Sequence, residues 1–161
     1  MSVIIGIDPG PVQSGFAMYD GKSVLCAGTM PNGPLSEWLL NMVTKRGGLL
    51  VAFELVQGYG RIVGAPVFET CFWTGRLFEI ATRAGGRACL RIPFRDIKKH
   101  LCPGAKGKDA DIRKALETRF GGGRGTKAAP GPLHAVTGHA VSALAVAVVA
   151  WDRSLALREE G

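Results

Sequence analysis

The chain is poor in the features that commit a protein to an oxidising or membrane setting. Its four cysteines, Cys26, Cys71, Cys89 and Cys102, are widely spaced and include no Cys-x-x-Cys pair. That pattern excludes a zinc motif and any evident disulfide framework, and it points to the cytoplasm or another reducing compartment, with a cellular, organellar or viral source all open. The N-terminus lacks a basic n-region and its apolar run is too short for a secretory signal, so export is not expected. The longest apolar stretch, residues 140–151, is too short to cross a bilayer and reads as a core helix. An apolar content of 47% excludes a disordered chain, and 161 residues bury a core without staples, so residues 1–161 read as a single domain.

Acidic residues are also scarce, 13 against 20 Lys and Arg. The imbalance is local. Residues 91–127 hold eleven bases and four acids, whereas the remainder balances at nine of each. Such a cluster is either a solvated helix face or a surface that meets a polyanion. Lys98, Lys99, Lys106, Lys108 and Arg113 are its candidate phosphate contacts.

The chain opens on Val3-Ile4-Ile5-Gly6-Ile7-Asp8-Pro9-Gly10. An apolar β-branched run reads as a buried strand, and it ends on one carboxylate before a Pro-Gly turn. Further strands are expected over 15–19 and 23–28, the pair joined by an Asp20-Gly21 hairpin signal. A helix over 35–45 precedes a strand over 49–54 that again ends on a carboxylate, Glu54. A Gly-rich loop over 55–66, a helix over 67–84, a strand over 88–92 and helices over 94–101 and 109–120 follow. The stretch 121–132 reads as a flexible Gly-rich loop, and a last helix covers 138–151. Trp38, Phe72, Trp73, Phe78 and Trp151 recur at helical spacing in apolar faces and read as core. His100 and His134 have no evident partner. Three meander strands followed by alternating strands and helices predict an α/β fold: one five-stranded mixed sheet, a meander plus two parallel strands, with helices on both faces.

If the first and fourth strands are neighbours, Asp8 and Glu54 converge. Two close carboxylates repel unless a cation lies between them, and oxygen ligands favour Mg²⁺ or Mn²⁺. Asp8 taken alone is equally a turn former. His139 in the first turn of the last helix and Ser142 on the same face are candidate further ligands. Taken alone, His139 is more often a surface or capping residue, and it is the presence of Asp8 and Glu54 that turns the reading toward a ligand.

The motifs GIDPG at 6–10, VAFE at 51–54, FWTGRL at 72–77 and HAVSALAVA at 139–147 together resemble RuvC-type Holliday-junction resolvases, of the ribonuclease H-like nuclease superfamily. The resemblance spans nearly the whole chain. It implies a metal-dependent endodeoxyribonuclease that cuts four-way DNA junctions in pairs of nicks, leaving 5′-phosphate and 3′-hydroxyl ends. Two Mg²⁺ or Mn²⁺ ions per site are implied, with Asp8 and Glu54 as ligands and catalytic groups and Lys108 near the scissile phosphate. A homodimer is implied as well, since two paired cuts need two active sites, with the long helix after Glu54 as interface.

Two departures stand out. The family's last helix usually opens Asp-x-x-Asp, where this chain has His139 and Ser142. A hydroxyl is a weaker ligand than a carboxylate, and an imidazole shifts preference toward Mn²⁺. Three residues after Glu54 the family places an aromatic that stacks on a junction base. Here that position is Gln57, leaving Tyr59 either to stack or to anchor the loop, and Arg61 as a candidate phosphate contact. The rival functions are a less selective flap or branch nuclease, a catalytically weakened junction binder, and a nucleotide-using sugar-kinase-like protein. The last is disfavoured because the chain has no later phosphate loop and is too short for two lobes, so no nucleotide cofactor is expected.

Overall fold

A computed structural model of the chain describes residues 3–58, 60, 62–85, 88–104 and 109–159. Five strands, β1 (Ile4–Asp8), β2 (Gln13–Tyr19), β3 (Val24–Pro31), β4 (Leu50–Leu55) and β5 (Ala88–Pro93), form one sheet in the order β3-β2-β1-β4-β5. β1 pairs antiparallel with β2 and parallel with β4, and β4 pairs parallel with β5. This is the mixed sheet the sequence predicts. Helices α1 (Asn32–Arg46) and α2 (Ala65–Arg83) cover one face, while α3 (Phe94–Leu101), α4 (Asp109–Arg119) and α5 (His139–Glu159) cover the other. Among the described residues no helix is long and apolar enough to cross a membrane.

The period-two pattern of β1 divides the core. Ile5 and Ile7 join Leu35, Leu39, Phe53 and Leu77 beneath α1 and α2, whereas Ile4 and Ala52 pack with Ala143, Leu144 and Ala147 beneath α5. Asp8 and Glu54 continue the α5-facing rows of their strands. α5 sits unusually close to the sheet at two glycines. A Cβ on Gly6 would overlap the Ala143 carbonyl oxygen, and a Cβ on Gly15 would overlap that of His139.

Several boundaries differ from expectation. α1 begins at Asn32 rather than Leu35, because Pro34 falls in the first turn, where its missing N–H costs nothing. α5 runs to Glu159, eight residues past the apolar run, because side chains beyond Trp151 bind neighbouring helices. Phe72, expected in the core, is 60% exposed. α2 buries only Thr70, Leu77 and Ala81, so its N-terminal half stands clear of the sheet. The segment 121–132, expected as a flexible loop, folds back on itself through backbone hydrogen bonds.

His100, without an evident partner in the sequence, donates from Nε2 to Asp152 at 2.7 Å. Arg119 grips the same carboxylate with both guanidinium nitrogens at 2.7 and 2.8 Å. One acid on α5 therefore ties down α3 and α4, the two helices that carry most of the basic segment. Burial pushes the Asp152 carboxyl up, but the bonds from Arg119 and His100 outweigh it and hold it below its ordinary value. A depressed carboxylate stabilises the fold above the unfolded pKa and loses that contribution as pH falls through its folded pKa. Asp152→Asn is therefore expected to lower the melting temperature at pH 7. The gap from wild type should narrow below about pH 4, the ordinary aspartate range, in melting curves taken across pH.

Candidate functional site

The parallel register of β1 and β4 aligns Ile7 with Phe53, so the next residues on each, Asp8 and Glu54, emerge side by side at the carboxyl edge of the sheet. In open α/β sheets that edge is where ligand sites gather. Both carboxylates line a cleft of about 650 Å³ closed by Phe94, Ala110, Ile112, Arg113, Gly138, His139, Val141 and Ser142. The cleft thus unites residues from β1, β4, α4 and α5 that lie up to 134 positions apart.

Its most defined contact is between His139 and Asp8, where Nδ1–H donates to Oδ2 over 2.9 Å. The Asp8 side chain is only 14% exposed, and the imidazole is 51% exposed. A carboxylate withdrawn from water needs such a partner, and here the close seat of α5 supplies it. Ser142, one turn further along α5, is half-buried in the same wall.

The backbone after Asp8 is held by a closed ring of side-chain bonds that sequence reasoning did not find. Gly10 N–H donates to Ser14 Oγ (3.1 Å), Ser14 Oγ donates to Asn32 Oδ1 (2.6 Å), and Asn32 Nδ2 donates to the Gly10 carbonyl (2.9 Å). Asn32 N–H adds a bond to the Val12 carbonyl at 3.0 Å. Ser14 is 0% and Asn32 1% exposed. Both polar groups of Gly10 are thereby satisfied, and the turn that follows Asp8 is fixed to β2 and to the start of α1. The only signal for this in the sequence was Asn32 in a PNGP turn, which suggests a loop rather than a strut.

The donor set in the cleft, two carboxylates and an imidazole, suits a divalent cation with oxygen-rich coordination. As placed, however, Asp8 and His139 satisfy each other. Among the described residues no three His, Cys, Asp or Glu side chains converge into a ready-made cation cage. Binding of a cation would thus have to exchange the Asp8–His139 bond for coordination.

The basic candidates separate. Arg113 lines the cleft itself. Lys98 stacks its ammonium 4.2 Å from the Phe94 ring centroid and borders an adjoining hollow with Gln57, Ile62, Val67 and Arg95. Lys99 faces a different hollow with Asp96, His100 and Arg153. Tyr59, Arg61, Lys106 and Lys108 lie outside the described residues.

No protein-family model matches the chain, and no curated protein matches it. Solved structures do. RuvC of Thermus thermophilus aligns with a TM-score of 0.69 at 18% identity, over 91% of both chains. The T. thermophilus RuvC structure in complex with a Holliday junction substrate aligns at 0.69 and 16%, over 92% of this chain and 91% of that one. The yeast mitochondrial Holliday junction resolvase Ydc2 aligns at 0.54 and 9%, over 91% of this chain and 76% of that one. The chain has the fold of these proteins.

Ser14→Ala would remove the partner of the Asn32 side-chain Oδ1 and of the Gly10 N–H. Each such orphan costs about 1–3 kcal/mol. Denaturant unfolding is expected to show a loss of about 2–4 kcal/mol, and a loss under 1 kcal/mol would mean the ring carries no load.

Proposed function

We propose that the chain is a divalent-metal-dependent endodeoxyribonuclease that resolves four-way DNA junctions by paired nicks, leaving 5′-phosphate and 3′-hydroxyl ends. The observation that carries this reading is the single cleft lined by Asp8, Glu54, His139, Ser142 and Arg113, on a fold shared with junction resolvases. Asp8 and Glu54 would hold Mg²⁺ or Mn²⁺, two ions per site, with His139 as a nitrogen ligand and Ser142 as a weak one. When bound, such ions lower the pKa of water and stabilise the leaving oxygen of a phosphodiester. Arg113 places a guanidinium where it can pair with a phosphate oxygen and orient the strand. The mixed nitrogen and oxygen set favours Mn²⁺ over Mg²⁺.

The exposed half of α2 supports a homodimer. Phe68 and Phe72, 64% and 60% exposed, lie one turn apart on the same face. Phe72 packs edge-on against Trp73, and Arg76 lies 5.3 Å from the Trp73 ring centroid. An apolar, aromatic face on a helix that stands clear of its own sheet matches the core of a two-fold interface, and two active sites would supply the paired cuts. The second reading is a junction-binding protein that does not cut. It is favoured by the mutual satisfaction of Asp8 and His139 and by the Ser142 hydroxyl where the resembled family carries a carboxylate.

The deciding assay uses a synthetic four-way junction beside linear duplex and flap DNA, in Mn²⁺ and in Mg²⁺. Symmetric nicks confined to the junction, faster in Mn²⁺ and reduced at least about a thousandfold by Asp8→Asn, are expected. Equal cutting of flaps makes the protein a general branch nuclease, and tight junction binding without cutting in either metal establishes the second reading. Light scattering is expected to give about twice the 17.0 kDa chain mass for wild type and a single-chain mass for Phe72→Asp. The melting temperature of the single chain should be little changed, because Phe72 is outside the core.

A further inference from the structure

Between α4 and α5 the chain builds a small hairpin. Gly125 and Pro130 bridge in antiparallel fashion. Thr126 N–H donates to the Ala129 carbonyl (3.0 Å), Ala129 N–H returns a bond to Thr126 Oγ1 (3.0 Å), and Gly131 N–H donates to the Arg124 carbonyl (2.8 Å). His134 Nδ1 donates to that same carbonyl at 3.1 Å, and Leu133 N–H closes the base on the Gly123 carbonyl at 3.2 Å. Two glycines are sterically obligatory. Gly125 has φ +67°, and a Cβ there would overlap the Ala129 carbonyl oxygen; a Cβ on Gly131 would overlap the Gly123 carbonyl oxygen. Beneath the hairpin, Leu133 and Val136 are buried against the α5 side of the core. A stretch that reads as flexible from its composition is a braced projection.

The projection is one-signed. Between Glu117 and Asp152 the chain has no Asp or Glu. Residues 124–130 are all exposed, with Arg124 at the base and Lys127 at the tip. Among the described residues neither side chain is in an ion pair, in contrast to Arg83, Arg119 and Arg153. Seven residues, and so eight Cα-to-Cα steps, separate Gly131 from His139, and the hairpin base therefore lies within about 29 Å of the cleft at full extension. That is less than the roughly 34 Å of one duplex turn.

We propose that the hairpin over 123–131 is a second DNA-contacting element, in which Arg124 and Lys127 hold backbone phosphates of a duplex arm within about one helical turn of the cleft. The inference rests on the DNA-directed reading of the cleft, and it adds a surface separate from it. The partner follows from charge complementarity: two exposed cations that form no ion pair among the described residues, on a segment with no acid of its own, suit a regular array of phosphates rather than a base or a peptide.

The test measures binding, not cutting. Fluorescence anisotropy of a labelled four-way junction, without divalent metal, gives Kd across 50–200 mM KCl for wild type and for Arg124→Ala/Lys127→Ala. Each phosphate contact contributes about 0.9 to the slope of log Kd against log salt, so a fall of about 2 is expected. Lys45→Ala/Arg46→Ala removes the same charge from the far end of α1 and is expected to move the slope by under 0.5. Gly125→Ala keeps both charges but breaks the hairpin, and weaker binding is expected. The double variant should melt within about 3 °C of wild type, since both side chains are exposed. A double variant whose slope matches the α1 control, a Gly125→Ala that binds as wild type, or a larger loss on duplex RNA than on DNA overturns the hairpin assignment. Wild type that binds no DNA overturns the DNA-directed reading instead, which keeps the two failures apart.

Discussion

The close seating of α5 on β1 and β2 is the constraint on which the remaining structure depends. Gly6 and Gly15 offer no side chain, Ala143 and Ala147 offer one carbon each, and backbone meets backbone across the layer. Close packing of this kind gains dispersion energy along the whole contact, and it permits no intermediate spacing, because interiors do not deform continuously. It also decides the chemistry at one end. Only with α5 at this height does His139 reach Asp8 across 131 positions of chain. A larger residue at either glycine would lift the helix and open the cleft together.

From that seat α5 acts as a beam with the Asp8–Glu54 cleft at its start and an ionic knot near its end. Asp152 gathers His100 from α3 and Arg119 from α4, so the orientation of the basic helices is set by a carboxylate nine residues beyond Ala143. The opposite face contributes differently. There α1 delivers Asn32 to the turn after Asp8, and the ring of bonds through Ser14 and Gly10 leaves that turn no freedom. Asp8 is thus braced from the helix above and from the loop beside it.

The charge excess acquires meaning only from this arrangement. In the sequence it is one continuous basic stretch. In the fold Arg113 enters the cleft, Lys98 borders the adjoining hollow, Lys99 faces a third, and Arg124 with Lys127 stands on the hairpin. The cationic surface therefore extends away from the cleft along α3, α4 and the hairpin, the shape expected of a protein whose partner is longer than its site. α2, on the other face, carries exposed Phe68 and Phe72, and its two arginines are balanced by two glutamates, so the basic excess and the exposed aromatic face lie on opposite sides of the sheet.

The order of elements, the mixed sheet and the placing of Asp8 and Glu54 at strand ends were legible in the amino-acid sequence, because each follows from short-range rules, whereas their standing side by side depended on the pairing of β1 with β4. Period-two hydrophobicity marks a strand, Gly and Pro mark its end, and a carboxylate after a buried run has few places to go. The exposure of Phe72 was not legible, since helical spacing shows which residues share a face but not whether a sheet lies under it. Nor was the role of Ser14 and Asn32, 18 positions apart, or of His100 and Asp152, 52 apart, because small polar residues carry no periodicity that reveals a distant partner. The Gly-rich stretch was misleading for a related reason. Composition reports how freely a backbone can move, whereas the glycines at 125 and 131 are there because a tight hairpin has no room for anything larger. Local pattern determined the elements and the two strand-end carboxylates; which side chains met across them was decided by the close approach of α5, a property of the folded layers that no window of sequence contains.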